Sequence, residues 1–159
     1  DHSNLNRQII HWTDDIGAWK TVSGSRKLRS LNPHTAINAI QTEITEENCE
    51  ELVGDCSIIV DAMDNMKGRR VLNATAVKMG IPYVYVFPSP EAEVASGPPG
   101  ILGPAPGLIA CVQSIETLKL ILGLEGLLTG RLLCFCGLDM TFREFKVNRN
   151  PSCPVCGSK

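Results

Sequence analysis

The sequence predicts an α/β fold built on a mostly parallel sheet, and three observations carry that expectation. Residues 56–61, Cys56-Ser57-Ile58-Ile59-Val60-Asp61, form an apolar run ending in a carboxylate. Buried parallel strands look like this because helices cover both of their faces. A helical segment over about 67–79 follows, and Ile81 to Phe87 is a second strand. Strand, helix, strand in that order is the signature of a parallel sheet with a crossover.

The remaining elements can be argued in chain order. Residues 13–32 read as a helix: Thr13, Asp14 and Asp15 offer caps, Trp19, Val22 and Leu28 give a partial apolar face, and Asn32-Pro33 stops it. Residues 35–40 alternate polar and apolar, as a half-buried strand does. Residues 45–52 form a short acidic helix opening on Thr45-Glu46-Glu47. The 67–79 helix has Val71, Leu72, Ala76 and Met79 on its apolar side and Gly80 as its terminator. In residues 86–107, 10 of the 22 positions are Gly or Pro, which marks a loop crossing the surface or a ligand site. Residues 108–122 form the most regular helix, with Leu108, Val112, Ile115, Leu118 and Leu122 on one side to face a partner or the sheet. Leu132 to Phe135 and Phe142 to Val147 suggest an antiparallel hairpin around Gly137-Leu138-Asp139, and residues 148–159 form a tail carrying Cys153-Pro154-Val155-Cys156.

Composition bounds the function. The chain has 159 residues, 43% of them hydrophobic, enough for a single core. Fifteen basic against 17 acidic residues leave a net charge of -2. That balance argues against a phosphate-dominated nucleic-acid surface and against a polybasic membrane patch. No stretch approaches the roughly 18 apolar residues a spanning helix needs. The N-terminal Asp1-His2-Ser3-Asn4 is not a signal peptide, and without Met at its head the chain is expected to be cut from something longer. Seven cysteines, an odd number set mostly singly in apolar runs, point to a reducing, cytoplasmic setting.

Two clusters could carry chemistry. Asn4, Arg7 and Gln8 form a donor-rich segment before a helix, and Lys20, one turn beyond Gly17, adds a positive charge. A solvated loop would have the same composition. In Asp61-Ala62-Met63-Asp64-Asn65 the carboxylates stand at a strand's carboxyl end, where open α/β sheets bind ligands and where Mg²⁺ bridging to phosphates finds oxygen donors. Helix capping by Asp64 or Asn65 is the competing reading, and both can hold. Arg, Lys and a strand-end Asp together suit a magnesium-nucleotide phosphate site. No Gly-rich phosphate loop follows any strand, and Gly97-Pro98-Pro99-Gly100 is not one because proline lacks the N–H. Cys153 and Cys156 have the spacing of half a zinc site, with Cys134 and Cys136 as weaker candidates and a bare dithiol or a metal shared between chains as alternatives. His2, His11 and His34 are scattered, and no Ser–His or Cys–His pair can be argued.

These residues fall in a familiar order. Ser3-Asn4-Leu5-Asn6-Arg7-Gln8, Gly17 with Lys20, Leu31-Asn32-Pro33, Asp61 to Asn65, Gly100-Ile101-Leu102-Gly103-Pro104 before the 113–123 helix, and Asn150 to Cys156 together resemble the ThiF/MoeB/HesA family, relatives of ubiquitin-activating enzymes. The resemblance spans nearly the whole chain. It implies a Rossmann-like fold, here a single partial adenylation domain over 1–159 lacking its first β-α-β unit, and shortened between Tyr85 and Phe87 where the first C-x-x-C pair would lie. It also implies Mg-ATP-dependent adenylylation of the terminal Gly-Gly carboxylate of a ubiquitin-like sulfur carrier of the thiamine or molybdopterin type, by a homodimer. Carried over by position, Arg7, Lys20 and Asp64 would be catalytic, and Asn4, Gln8 and Asn65 would join them in holding the nucleotide. Asp64 would serve magnesium with Asp61 in support, and Cys153 and Cys156 would be two of four zinc ligands. Ser96 stands where many members place a reactive cysteine. Two other readings remain beside this one: a non-catalytic member that docks a carrier or partner, and an unrelated dinucleotide-binding domain with a redox Cys153–Cys156 pair.

Overall fold

A computed structural model describes residues 2–86 and 102–157, and its residues fall into two compact units. The first comprises residues 2–43 with 102–107, the second residues 44–86 with 108–157. The Gly/Pro-rich stretch predicted as a loop, with Gly97 to Gly100 and Ser96, lies outside the described residues up to Ile101.

In the first unit the helix expected over 13–32 is shorter. A 3₁₀ turn covers Thr13–Asp15, and α1 spans Lys20–Leu31. Gly17 separates them at φ 88°, a conformation a side chain would resist. The packed face of α1 is also different from the predicted one. Trp19 and Val22 are largely exposed, while Ser23, Gly24 and Ser25 are buried. Small residues win here because the preceding segment lies close: a Cβ on Gly24 would meet Ile10 Cδ1 at 3.4 Å. Apolar spacing therefore misidentified the buried side. Residues 35–40 form no strand, and Ile40 is about half exposed. Alternation makes a strand only when a neighbouring ladder accepts it, and none among the described residues pairs with this segment.

The second unit contains the predicted strand–helix–strand. β1 (Ile59–Val60) and β2 (Tyr83–Val84) pair in parallel, Ile59 opposite Tyr83, and α3 (Met66–Met79) connects them. Both strands are shorter than expected, although Asp61 N–H extends the ladder to the Val84 carbonyl at 2.9 Å. α3 obeys its local signals closely. Asn65 caps its start by accepting the Gly68 N–H at 2.8 Å, and Gly80 ends it in the left-handed region at φ 68°. The acidic helix begins later than predicted, as α2 (Cys49–Val53), because Asn48 first closes a turn with the Thr45 N–H. The core is formed by Cys49 and Val53 of α2, Ile59 of β1, and Val71, Leu72 and Ala76 of α3, with Met63 and Tyr83 packed against it.

α4 spans Pro104–Ile121, so the loop ends four residues earlier than the sequence suggested. Pro104 and Pro106 lie in its first turn, where the missing N–H groups have no intrahelical partner to lose. In the second unit Gln113 donates to the Asp61 carbonyl at 3.0 Å, tying α4 to the end of β1. Of the apolar row that could face a partner or the sheet, Leu108 and Val112 are half-buried, while Ile115, Leu118 and Leu122 are more than half exposed, as is Ile121. β3 (Arg131–Cys136) and β4 (Thr141–Lys146) form the antiparallel hairpin, Phe135 opposite Phe142 with ring centroids 4.9 Å apart. Glu116 of α4 anchors the approach to it by accepting the Leu128 N–H at 2.7 Å. Among the described residues no helix is long and apolar enough to cross a membrane.

Candidate functional site

The first unit holds a cleft lined by Asn4, Gln8, His11, Asp15, Lys20 and Ser23, among others. Three of the four predicted phosphate contacts, Asn4, Gln8 and Lys20, meet there. Arg7 is not a lining residue. Its guanidinium folds back on its own turn, donating to the Asn4 side chain at 2.7 Å and to the Ser3 carbonyl at 2.8 Å. Arg7 thereby fixes the Asn4 amide that faces the cleft and keeps other N–H groups of its five in reserve. Segment 102–107 presses on the same turn: a Cβ on Gly103 would overlap the Asn6 carbonyl, so only glycine lets the two backbones approach.

Two features suit this cleft to a polar ligand. The Gln8 side-chain carbonyl is buried without a hydrogen-bond partner, an arrangement that costs roughly 1–3 kcal/mol until a donor fills it. The Lys20 ammonium makes no hydrogen bond or ion pair among the described residues and has charge to offer an anion. The floor is held elsewhere. Asp15 accepts the Trp12 N–H at 2.7 Å, pairs with Arg26 at 2.8 Å, and takes a bond from Lys27. The Lys27 bond, then the Trp12 N–H, hold the Asp15 carboxyl below its ordinary value. Lys27 also lies 4.0 Å over the Trp12 ring, a cation–π contact.

A Ser–His contact is present where the sequence offered no argument for one: His11 Nδ1 stands 2.6 Å from Ser23 Oγ. The pair spans a turn and the start of α1, so no spacing rule could have found it. Burial first, and then Lys20 and Lys27, lower the His11 pKa. Ser23 is only 2% exposed, which suits a packing role and not a nucleophile.

In the second unit the Asp61–Asn65 turn divides its side chains between structure and solvent. Asp61 is 1% exposed and fully engaged: it accepts the Met63 N–H at 2.6 Å and the Tyr83 hydroxyl at 2.6 Å, and Arg69 Nε lies 3.4 Å away. A carboxylate so enclosed is taken up by protein donors and leaves no open position for a metal. Burial and the neighbouring Asp61 push the Tyr83 hydroxyl pKa well up. Asn65 is the α3 cap, the alternative foreseen for it. Asp64 is exposed, and no hydrogen bond or ion pair among the described residues engages its carboxylate. It has the donor chemistry of a Mg²⁺ ligand, a hard oxygen with no competing partner.

Cys153 and Cys156 share one tight turn, in which Gly157 N–H bonds the Cys153 carbonyl at 2.9 Å and Arg149 donates to the Cys156 carbonyl at 2.8 Å. A Cβ on Gly157 would overlap the Cys153 backbone, so the turn demands glycine. Hydrogen bonds from the Cys156 backbone, then from Val155, lower the Cys153 thiol pKa. Both thiols of the C-x-x-C spacing stand on this one turn. No group of three or more His, Cys, Asp or Glu among the described residues stands ready to hold a metal, and Cys134 and Cys136 do not complete the set.

Comparison with known proteins adds an independent line. The ThiF family matches residues 1–89 and 85–155, two stretches that meet near the end of β2. The SAMP-activating enzyme E1 of Haloferax volcanii is 35% identical over 182 positions, covering 99% of this chain and 67% of that protein. The sulfur carrier protein adenylyltransferase of Thermus thermophilus is 31% identical over 188 positions, covering 99% and 69%. Both alignments run over more positions than this chain's 159 residues, so each relative carries residues this chain lacks. Among solved structures, E. coli MccB with ATP superposes at a TM-score of 0.83 with 19% identity, over 99% of this chain and 56% of that one.

Proposed function

The chain belongs to the ThiF family, and on that premise we propose that the protein carrying it adenylylates the C-terminal carboxylate of a ubiquitin-like sulfur carrier. The two sequence relatives are named for that kind of work, one as an activating enzyme and one as a sulfur carrier adenylyltransferase. The observation that carries the reading is the cleft with Asn4, Gln8 and Lys20 on its walls, where the Lys20 ammonium has no hydrogen-bond or ion-pair partner among the described residues.

ATP supplies an activated α-phosphorus and pyrophosphate as leaving group; the carrier's carboxylate oxygen would attack that phosphorus and become an acyl-adenylate. The chain's own residues would bind and neutralise. Lys20 offers a positive charge where negative charge grows on phosphoryl oxygens, Asn4 and Gln8 add neutral hydrogen bonds, and Arg7 holds Asn4 while contributing charge. Asp64 would hold Mg²⁺, with Asn65 fixing the start of α3 beside it. A homodimer in a cytoplasmic setting is part of this reading. The outward row Ile115, Leu118, Ile121 and Leu122 supports a protein partner, since apolar surface of that kind is favourably buried. Zinc enters no step.

The test is ATP–pyrophosphate exchange by the full-length protein with a carrier ending in Gly-Gly. Exchange is expected, falling at least about 100-fold in Lys20→Ala and in Asp64→Asn with thermal stability unchanged. Absence of exchange with every such carrier refutes the proposal and favours the non-catalytic, partner-docking reading. Calorimetry with Mg-ATP then shows whether nucleotide still binds.

A further inference from the structure

We propose that Arg69 is a positioning residue for Asp64, holding the strand-end turn so that its carboxylate is presented in one place. This rests on the role of Asp64 proposed above. The claim starts from which residues of the turn are tied. Met63, immediately before Asp64, is held on both sides: its N–H donates to Asp61 Oδ1 at 2.6 Å, and its carbonyl accepts Arg69 Nε at 3.1 Å and a second bond from Arg69 Nη2. Asn65, immediately after, is fixed by its own cap bond to Gly68. Between these two anchored residues Asp64 alone presents an unengaged charge to solvent.

The guanidinium reaches further. Its third nitrogen, Nη1, donates to the Val86 carbonyl just beyond β2, so one planar group spans the turn, α3 and the end of β2. Asp61, whose side chain is fully enclosed, stands 3.4 Å from Nε and supplies the counter-charge that makes a nearly buried guanidinium tolerable. The Tyr83 hydroxyl at 2.6 Å holds the same carboxylate's Oδ2 from another direction. Gly68 lies against the same turn: a Cβ there would meet the mobile end of the Met63 side chain and stand 3.3 Å from Asn65 Oδ1. The geometry needs Arg and not Lys: several N–H groups in a fixed fork bridge two carbonyls at once, whereas an ammonium is a single point. Arg70, the next residue, is exposed and takes no part in this network, which makes it a natural control.

A metal-holding carboxylate displaced by about 1 Å can cost on the order of 100-fold in rate. In the full-length protein, Arg69→Met is therefore expected to lower the exchange kcat about 100-fold and to raise the Mg²⁺ concentration for half-maximal rate several-fold, with the carrier KM little changed. Arg69→Lys should restore about a tenth of the lost rate, and Arg70→Met should leave kcat and the Mg²⁺ dependence unaltered. Val71→Ala, which loosens the core on the same helix without touching the turn, separates instability from misplacement: it should lower the melting temperature and keep the Mg²⁺ dependence. Asp64→Asn distinguishes the two claims. If Asp64→Asn exchanges normally, the role of Asp64 fails. If it does not, while Arg69→Met keeps the parent kcat and Mg²⁺ dependence, the positioning role fails. Should Arg69→Met not fold, Arg69→Lys decides alone, since an unchanged Mg²⁺ dependence in that variant overturns the proposal.

Discussion

Removing the charge from Asp61 offers the sharpest check on how the second unit is held. Asp61→Asn keeps the shape but takes the negative charge from a side chain with no exposure, leaving Arg69, itself 13% exposed at the side chain, without its counter-ion. Breaking a fully buried pair from one side typically costs about 3–5 kcal/mol. Arg69 retains the Met63 and Val86 carbonyls, and the amide introduced at this position would still offer one acceptor, so the cost here falls to about 2–3 kcal/mol. That corresponds to roughly 30- to 150-fold in the folding equilibrium, a large share of the ~5–15 kcal/mol a domain has. Tyr83→Phe removes one hydrogen bond to a charged acceptor and should cost about 1.5–2 kcal/mol. Because both changes act on the same carboxylate, the double variant should fall short of the sum by about 1 kcal/mol. Urea titration followed by circular dichroism reads this directly. Both tryptophans lie in the first unit, so their fluorescence stays out of the measurement. A cost for Asp61→Asn below about 0.5 kcal/mol, or strict additivity with Tyr83→Phe, would refute the hub described here.

Further outcomes test other parts. Asn65→Ala should cost about 1 kcal/mol by stripping the α3 cap, read as a lower melting temperature; Asn65→Asp should restore most of it. Asp15 gives the first unit an acid limit. Its folded-state pKa is depressed by Lys27 and the Trp12 N–H, so its contribution is complete above the usual carboxylate pKa of about 4 and is lost as pH falls through the lower folded value. Trp12 and Trp19 emission should therefore hold down to about pH 4 and shift below it, and Asp15→Asn should already show the loosened signal at neutral pH. Gly103→Ala should push the Asn6 carbonyl and disturb the Asn4–Arg7 turn, weakening Mg-ATP binding by calorimetry more than it lowers the melting temperature.

Much of this molecule follows from signals that act over four or five residues. α3 with its Asn65 cap and Gly80 stop, the hairpin around residues 137–139, and the strand–helix–strand order all rest on local capping, turn and periodicity rules, and each appears near its expected place. The ordered residues Asn4, Arg7, Gln8, Lys20 and Asp64 likewise led to the ThiF family from sequence alone. Long-range choices were not legible. Residues 35–40 carry a strand's alternation, but a strand exists only if another ladder receives it. The apolar row of α4 is periodic, yet periodicity says which residues share a face and not whether that face is covered. Ser23, Gly24 and Ser25 form the buried side of α1 because a neighbouring segment comes close, a fact no hydropathy pattern contains.

The strand-end turn shows the division most clearly. Sequence by itself determined that two carboxylates and an asparagine stand at the carboxyl end of a strand, since that needs only residue order and a local strand signal. Only the tertiary structure decided which carboxylate is buried under Tyr83 and Arg69 and which is left exposed. The reason is physical: a charge becomes structural or functional according to the desolvation and partners it meets, and those are supplied by residues far along the chain.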